Sequence, residues 1–413
     1  MRRIKQIFFA FILVIIPSIT LAQNITNSPY SRYGYGTLAE NAYAAQRAMG
    51  GMGYGVRNSN FINTLNPASY SEVDSMTFMF EVGAMLRSTS MKEGDEKMRR
   101  NTGGLEYIAM QFPLSKTMGV GVGLEPVSHV GYTYGETEDL STKDHSSLLY
   151  SGSGGLSSAY GAISYDFFDR FSVGTKFGYL FGDMIYGRTV GFSSSENYPI
   201  SWVDTLRING FTYNLGIQYH QPIGDKSQLV VGAVYTPKTK VNGLLKSRVV
   251  RGSYESEYSV SRDSVFEMPE SYGLGITYSK INKFIVGIDA SYQKWSEAKF
   301  YDRTDQFYDL LKINLGGEFI PENISRNYLK QIRYRAGAYY SDSYLKVKDA
   351  GYKEYGFSLG FGLPTIDKRS IVNLSFEYGL LRPEVNTLID EQFFKLTLSY
   401  TFNELWFFRR KIQ

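Results

Sequence analysis

The chain has 413 residues, including 34 tyrosines, 27 phenylalanines and 41 glycines, but it has no cysteine. It is too rich in tyrosine and glycine for an ordinary α/β enzyme, and too apolar for a disordered chain. The lack of cysteine excludes disulfides, cysteine-based zinc sites, a thiol nucleophile and an acylated lipoprotein anchor. The formal charge of +4 falls mostly on the first six residues, so the composition does not indicate nucleic-acid binding.

The first 22 residues have the layout of a secretory signal peptide. Residues 1–6 carry three basic side chains, and residues 7–21 are almost wholly apolar. Ala22 then precedes a polar stretch, which predicts cleavage after Ala22. A membrane-anchoring helix is the alternative, but the apolar run is shorter than the roughly 20 residues that span a bilayer. We therefore expect an exported protein.

From about Met76 onward, the sequence falls into segments of about ten residues in which bulky apolar side chains alternate with small or charged ones. The last segment is the clearest, with Phe394, Leu396, Leu398, Tyr400 and Phe402 alternating with Lys395, Thr397, Ser399 and Thr401. Aromatic residues recur at the segment ends. This pattern predicts an all-β fold, a transmembrane antiparallel barrel that faces lipid outside and a polar lumen inside. A large soluble all-β protein is the alternative.

We count fifteen candidate strands between residues 76 and 402: 76–87, 103–113, 117–127, 155–166, 171–184, 208–221, 227–237, 243–259, 270–280, 283–295, 310–319, 331–341, 354–364, 371–381 and 392–402. Bacterial single-chain barrels have even strand numbers, so we expect about fourteen strands, with one candidate split or merged. Residues 136–155 and 185–207 are expected to be long extracellular loops. Residues 23–75 lack strict alternation and form a separate N-terminal segment.

Three motifs in this order resemble the FadL-type family of outer-membrane proteins. Residues 45–53 read Ala-Gln-Arg-Ala-Met-Gly-Gly-Met-Gly, and Asn66-Pro67-Ala68 follows. Residues 268–275 read Met-Pro-Glu-Ser-Tyr-Gly-Leu-Gly and lead into residues 289–296, Asp-Ala-Ser-Tyr-Gln-Lys-Trp-Ser. The sequence Ser28-Pro29-Tyr30-Ser31 after the signal peptide and the aromatic and basic tail at 405–411 are similar to the Bacteroidota branch of this family. That branch also contains PorV-like barrels. The resemblance implies a fourteen-stranded barrel with residues 23–75 as a hatch inside it, and it implies fold more firmly than function.

The resemblance assigns the hatch motifs to Gly50, Gly51, Gly53, Asn66, Pro67 and Ala68. The glycine run could suggest a phosphate-binding loop, but no strand precedes it and no Lys-Ser/Thr follows it. We therefore predict no cofactor. Asn66-Pro67-Ala68 is either a turn before the first strand or a hatch element whose movement opens a path.

Pro126 interrupts the third candidate strand, because proline cannot donate to a strand ladder. In the FadL-type family, an inward kink of the third strand opens the barrel wall sideways, which implies a possible lateral opening at Glu125, Pro126 and His129. A plain strand end is the alternative. The kink predicts missing ladder hydrogen bonds near residues 125–129.

The positions predicted to face the lumen carry both charges, which favours an ion-paired interior over an open pore. These positions are Glu81, Glu106, Glu125, Lys176, Asp289, Lys312, Glu318, Arg333, Arg335, Glu377 and Lys395. None of the three histidines has metal-ligand spacing, and nothing joins His220 to Ser153 as a hydrolytic pair. We therefore predict neither a metal site nor an enzyme.

Residues 403–413 continue past the last aromatic strand end, Phe402. They contain Leu405, Trp406, Phe407, Phe408, Arg409 and Arg410. This pattern predicts an amphipathic tail at the periplasmic rim, and a peptide that docks a partner is the alternative.

Two functions are compatible with this sequence, of which we predict the first and keep the second as the alternative, because uptake is the commoner function of the family that it resembles. The first is passive uptake of small hydrophobic compounds, such as fatty acids, through a hatch and a lateral wall opening. The second is a non-transporting structural subunit of an outer-membrane assembly or secretion complex. A continuous apolar path through the barrel would favour uptake, and a filled, ion-paired lumen would favour the subunit. Outer-membrane lipid, a hydrophobic ligand and envelope proteins are the expected partners.

Overall fold

The computed structural model describes residues 25–139, 145–192, 198–366 and 368–405. The predicted signal peptide lies outside these residues. The strands are β1 (Thr37–Leu38), β2 (Thr77–Glu93), β3 (Glu96–Pro113), β4 (Met118–Asp139), β5 (His145–Phe167), β6 (Phe171–Phe192), β7 (Ile200–Ile223), β8 (Ser227–Thr236), β9 (Thr239–Arg251), β10 (Tyr254–Met268), β11 (Glu270–Lys280), β12 (Phe284–Lys294), β13 (Leu310–Phe319), β14 (Arg333–Asp342), β15 (Tyr352–Pro364), β16 (Ile371–Pro383) and β17 (Asp390–Leu405).

Helical structure among the described residues is limited to short pieces. Two helices, α1 (Ala44–Arg47) and α2 (Tyr328–Gln331), have four residues each. Three 3₁₀ turns cover Pro29–Arg32, Pro67–Glu72 and Trp295–Glu297. None of the described helices is long and apolar enough to cross a membrane.

The wall is a closed antiparallel barrel of fourteen strands, as predicted. The strand β7 pairs with β8 along one half and with β9 along the other, so β8 and β9 form one wall strand. In the same way, β10 pairs with β9 and β11 pairs with β8, so β10 and β11 form the next one. Pairing of β17 with β2 closes the barrel.

Side-chain burial follows the predicted alternation. In β17, Lys395, Thr397, Ser399 and Thr401 are buried, whereas the apolar residues between them are partly or fully exposed. Leu215 and Ile217 of β7 and Leu274 and Ile276 of β11 are likewise exposed. An apolar exterior with polar side chains inside is the arrangement of a barrel in a lipid bilayer.

We call the two ends of the barrel the near end, where β2 begins and β17 ends, and the far end. Six strand segments extend beyond the rest of the wall at the far end and form what we call the outer sheet. It consists of residues 128–139 of β4, 145–156 of β5, 182–192 of β6 and 200–209 of β7, together with β9 and β10.

The prediction of long loops at 136–155 and 185–207 is therefore wrong. Most of these residues belong to β4, β5, β6 and β7. Beyond the lipid-facing band, a strand no longer needs an apolar face. Its sequence therefore loses the alternation on which the strand prediction depended.

Two boundaries also differ from the prediction. The candidate strand 243–259 is a hairpin of β9 and β10, whose turn contains Gly252 at a φ of 57°. This two-residue turn is too short to interrupt the strand-like composition on either side. The last strand continues to Leu405, three residues beyond Phe402, so the barrel extends into the segment predicted as a tail.

Candidate functional site

The N-terminal residues 25–75, which we call the hatch, contact wall strands on several sides of the barrel interior. The hydroxyl of Tyr30 donates to the carbonyl of Ile389 at 2.6 Å, before β17. The hydroxyl of Tyr35 donates to the carbonyl of Glu267 at 3.0 Å, on β10. Most hatch side chains are buried. Whether the hatch moves stays a prediction.

Five wall glycines lie directly against the hatch backbone. A Cβ at any of them would come within 2.3 Å of a hatch main-chain atom. These close pairs are Gly119 with Tyr70, Gly174 with Pro67, Gly232 with Tyr54, Gly316 with Met49, and Gly337 with Gly50. These glycines were not predicted from the sequence. The available signal was a glycine at positions where the alternation points inward.

The glycine run of the hatch wraps around a carboxylate of the wall. The backbone N–H groups of Gly53 and Tyr54 donate to Oδ2 of Asp289 at 2.5 and 2.8 Å. The N–H of Gly50 donates to Oγ of Ser358 at 2.9 Å. The chain's own carboxylate therefore stands where a bound anion would stand in a phosphate loop. Gly51, also predicted here, is buried, and its carbonyl accepts from Asn314.

The Asn66-Pro67-Ala68 motif forms a turn that joins the hatch to the wall. Oδ1 of Asn66 accepts the N–H of Ala68 at 3.0 Å, and Pro67 begins a 3₁₀ turn. Nδ2 of Asn66 donates to the carbonyls of Tyr54 at 2.8 Å and Ile217 at 3.2 Å. All three motif residues are buried. The geometry is that of a capped turn.

A buried ion-pair network connects the hatch helix α1 to the wall. Arg47 lies 2.9 Å from Glu106, which also pairs with Lys395 at 3.0 Å. Burial opposes the charge of Arg47, but Glu106 and Glu40 more than offset this effect, so the pKa of Arg47 is raised. The side chain also donates to two hatch carbonyls.

Other charges predicted to line the lumen are paired as well. Lys176 pairs with Glu125 at 2.9 Å. Glu318 lies between Arg333 at 3.0 Å and Arg335 at 2.8 Å. These side chains are all almost fully buried. Breaking such a pair leaves an uncompensated buried charge, which strongly destabilises a fold.

The far end of the interior is filled by an apolar core. Tyr35 of the hatch packs against Trp295 at a ring-centroid distance of 5.6 Å, and Trp295 packs against Tyr344 at 4.6 Å. Phe307 lies 5.3 Å from Tyr344. Wall residues surround these rings, including Leu156, Leu180, Met184, Leu206, Ile208, Val241 and Phe266. The far-end connections at 295–309 and 343–351 thus pack onto the hatch.

A polar cluster fixes the hatch at the near end. Arg57 lies 2.8 Å from Glu72 and 3.1 Å from Asp166, and it donates to Ser172 at 2.5 Å. His220 contacts Ser172 at 3.4 Å and Asp166 at 3.2 Å with the same atom, Nε2. A hydrolytic triad needs the carboxylate on the opposite ring nitrogen, so this is not one.

The ladder between β3 and β4 is short. Their pairing extends only from Pro113 opposite Gly119 to Ile108 opposite Leu124. Beyond that point, the only described strand that pairs with β4 on this side is β1 of the hatch. The register of β4 against β5 also shifts between Pro126 and Ser128. Ladder bonds to β3 are thus missing where the kink interpretation expects them, and the role of this gap as an exit stays a prediction.

A cavity of about 380 Å³ occupies the gap. Its lining includes the three predicted residues Glu125, Pro126 and His129, together with Leu105, Leu124 and Ile25. The hydroxyl of Thr102 donates to the carbonyl of Ile25 at 3.0 Å, so the first described hatch residues lie in the gap.

The remaining predicted residues lie at the chain end and in other clusters. Leu405 is the last residue of β17. Trp406, Phe407, Phe408, Arg409 and Arg410 lie outside the described residues. Ser153 lies in the outer sheet, opposite Gly131 and Ile185, whereas His220 lies at the near end. Within the described ranges, no group of three His, Cys, Asp or Glu side chains could hold a metal ion.

Several solved structures share this fold. The P. putida toluene transporter TodX is 16% identical over 90% of this chain and 100% of its own, with a TM-score of 0.61. The CymD monoaromatic hydrocarbon channel is 16% identical over 89% of this chain and 98% of its own, at 0.58. A Pseudomonas aeruginosa FadL homologue is 13% identical over 89% and 99%, at 0.58. Identities this low show the fold alone.

The sequence comparisons identify the family. No curated protein matches the chain. A family model described as BamG matches residues 3–413, nearly the whole chain. The FadL-like fold expected from the three motifs is confirmed by the solved structures. The chain therefore belongs to the BamG family, a Bacteroidota-type family of FadL-like outer-membrane β-barrels.

Proposed function

We propose that the protein is a closed structural barrel that acts as a subunit of an outer-membrane assembly or secretion complex. The observation that carries this proposal is the filled interior. The hatch lies against wall glycines, its charges pair with wall charges, and an aromatic core fills the far end. A conduit would need a continuous path in place of these contacts.

The energetics of the interior support a static role. A hydrophobic solute moving along the barrel axis would have to separate buried pairs such as Arg47 with Glu106. Removing one partner of a buried ion pair costs about 3–5 kcal/mol, and the interior holds several pairs. Displacement of the hatch would therefore lower the stability of the barrel, which favours a hatch that remains in place.

Gentle extraction of the tagged protein from its own outer membranes tests this proposal. We expect a fixed stoichiometric set of envelope proteins to co-purify. We also expect the purified protein to conduct no ions across a planar bilayer. A barrel that purifies alone, with a bound fatty acid or hydrocarbon identified by mass spectrometry, would contradict the proposal.

Uptake of small hydrophobic compounds is the second candidate, and the gap between β3 and β4 favours it. Its cavity is partly apolar, with Leu105, Ile108 and Leu124 in its lining, and it lies where the ladder between β3 and β4 is missing. Solved structures of the same fold include the toluene transporter TodX and the monoaromatic hydrocarbon channel CymD. A ligand would reach the gap past the hatch and leave sideways into lipid.

Leu105→Arg tests the uptake candidate directly. A cation in the gap would block passage of a hydrophobic solute, so growth on toluene or a fatty acid as sole carbon source would fall. The matched control is Leu86→Arg, because Leu86 is exposed on the neighbouring strand β2. If both variants support uptake equally, or if neither the parent nor the variants take up the compound, this candidate fails.

A further inference from the structure

The outer sheet ends in an unpaired strand edge on β10. Residues 254–260 pair with β9 on one side, from Tyr254 opposite Arg251 to Val260 opposite Leu245. On the other side, no described strand has a pairing register with them, since β1 pairs with β4 and β11 pairs with β8 and β12. An exposed edge of this kind presents backbone N–H and C=O groups to another chain.

The neighbouring connection covers only the lower part of β10. The N–H of Asp302 donates to the carbonyl of Val265 at 2.9 Å, and the N–H of Glu267 donates to the carbonyl of Lys299 at 2.9 Å. These bonds stop below the segment 254–260. Residues 254–259 are all exposed, which is unusual for a strand that has a long antiparallel partner.

We propose that an extended segment of another envelope protein adds a strand to this edge of β10. This inference rests on the proposed role as a complex subunit and names one surface that such a complex would use. Addition of a strand to a sheet edge supplies affinity through main-chain hydrogen bonds, and alternate side chains supply specificity. Seven residues, 254–260, are enough for a strand of ordinary length.

The side chains of the edge define the chemistry of the added segment. Tyr258 pairs with the buried Ser247, so Tyr258 and its strand neighbours Tyr254 and Val260 lie on the inner face. Tyr258 is nevertheless 56% exposed. Glu255 and Glu257 lie on the opposite face, where Glu255 already pairs with Arg248 of β9 at 2.7 Å. A complementary segment therefore has apolar side chains on the inner face and a basic side chain beside Glu257.

A second copy of this chain does not complete the edge in the same way. All copies in one membrane have the same orientation, so two β10 edges can meet only in parallel. The twofold axis then lies along the strands, and it turns the inner face of one copy next to the outer face of the other. Tyr258 would gain no apolar neighbour, because the charged outer face of the other copy, with Glu257 and Arg248, would continue its row.

The test compares complexes purified from cells that express the parent or the double variant Tyr258→Lys/Val260→Lys. Inward-facing charges disfavour pairing at a strand edge. We expect the double variant to lose one co-purifying protein by about tenfold and to keep the others. Leu149→Lys is the control, because Leu149 is 45% exposed on β5, an inner strand of the outer sheet. It should keep every partner.

A crosslinking variant tests the same inference if the double variant misfolds. Tyr258 is replaced by p-benzoylphenylalanine, which keeps an aromatic ring at the edge, and the adduct is identified by mass spectrometry. We expect a crosslink to an extended segment of the same protein that the double variant loses. Retention of all partners by the double variant, or a crosslink to a second copy of this chain, overturns the inference but leaves the proposed function intact. A parent barrel that purifies alone overturns both.

Discussion

The carboxylate of Asp289 accepts the backbone N–H of Gly53 at 2.5 Å and thereby joins the wall strand β12 to the hatch. The same oxygen accepts the N–H of Tyr54. Both residues meet Asp289 inside the barrel, where water cannot easily replace a lost acceptor. A glycine run that resembles a ligand-binding loop thus serves to fix the hatch to its own barrel.

Asp289→Asn should weaken this attachment. The amide keeps one acceptor, but its NH₂ group and lost charge leave at least one hatch N–H poorly satisfied. An unsatisfied buried donor costs about 1–3 kcal/mol, so the free energy of unfolding should fall by this amount. Urea unfolding in detergent, followed by gel mobility, measures it. Asp302→Asn is the control, since Asp302 is 63% exposed in a far-end connection. Equal midpoints for both variants would contradict the prediction.

Gly50→Ala should prevent the hatch from packing against the wall. Gly50 has a φ of 69°, and a Cβ there would lie 2.7 Å from the carbonyl oxygen of Leu315 and 2.8 Å from that of Ala338. Both are backbone atoms of wall strands and cannot rotate away. The left-handed backbone alone costs an alanine about 1–2 kcal/mol, and the overlap adds to this cost.

The matched control for this prediction is Gly94→Ala. Gly94 also has a positive φ, 58°, but nothing lies within 4 Å of an added Cβ. It should therefore lose only the backbone contribution. Protease digestion of the folded barrels compares the two, and we expect hatch cleavage in Gly50→Ala alone. Equal resistance of both variants would show that the hatch adapts to the added methyl group.

Most of the barrel could be predicted from the sequence, because lipid imposes a strict alternation on the wall. The lumen charges were identified for the same reason, and Glu106 and Lys395 are indeed paired inside. Most of the outer sheet could not be predicted. Outside the bilayer both faces of a strand can be polar, so residues 136–155 carried no period-two signal.

The hatch illustrates a second limit of the sequence. Gly50 and Asn66 were singled out by a family resemblance, but their contacts with Ser358 and Ile217 join residues more than 150 positions apart. No local pattern encodes such a pairing. The alternation also cannot distinguish a wall glycine that faces the hatch, such as Gly119, from one that only relieves crowding.

Arg57→Gln should loosen the hatch at the near end. Arg57 is buried between Glu72 of the hatch and Asp166 of the wall, and glutamine cannot pair with either carboxylate by charge. We expect faster chymotrypsin cleavage within residues 58–72 while the wall stays intact. Lys330→Gln is the control, because Lys330 pairs with Glu322 in an exposed near-end connection. Unchanged cleavage in Arg57→Gln would show that the glycine contacts alone hold the hatch.

Trp295→Ala should destabilise the far-end core without opening a pore. The side chain is 1% exposed and packs between Tyr35 and Tyr344, so its removal leaves a cavity. Large-to-small changes of this kind cost about 3–5 kcal/mol. Because the hatch and its ion pairs still fill the barrel below this core, the variant should conduct no ions across a planar bilayer. Thermal unfolding followed by circular dichroism gives the loss of stability.

Trp202→Ala is the matched control for the far-end core. Trp202 lies in the outer sheet, where it is only partly buried and stacks with Arg188 at 4.3 Å, so its loss should cost much less. Conductance in Trp295→Ala but not in Trp202→Ala would mean that the aromatic core is the main barrier in the barrel. That result would favour uptake over the structural role. A solute can reach the gap between β3 and β4 only if the aromatic core at the far end can open.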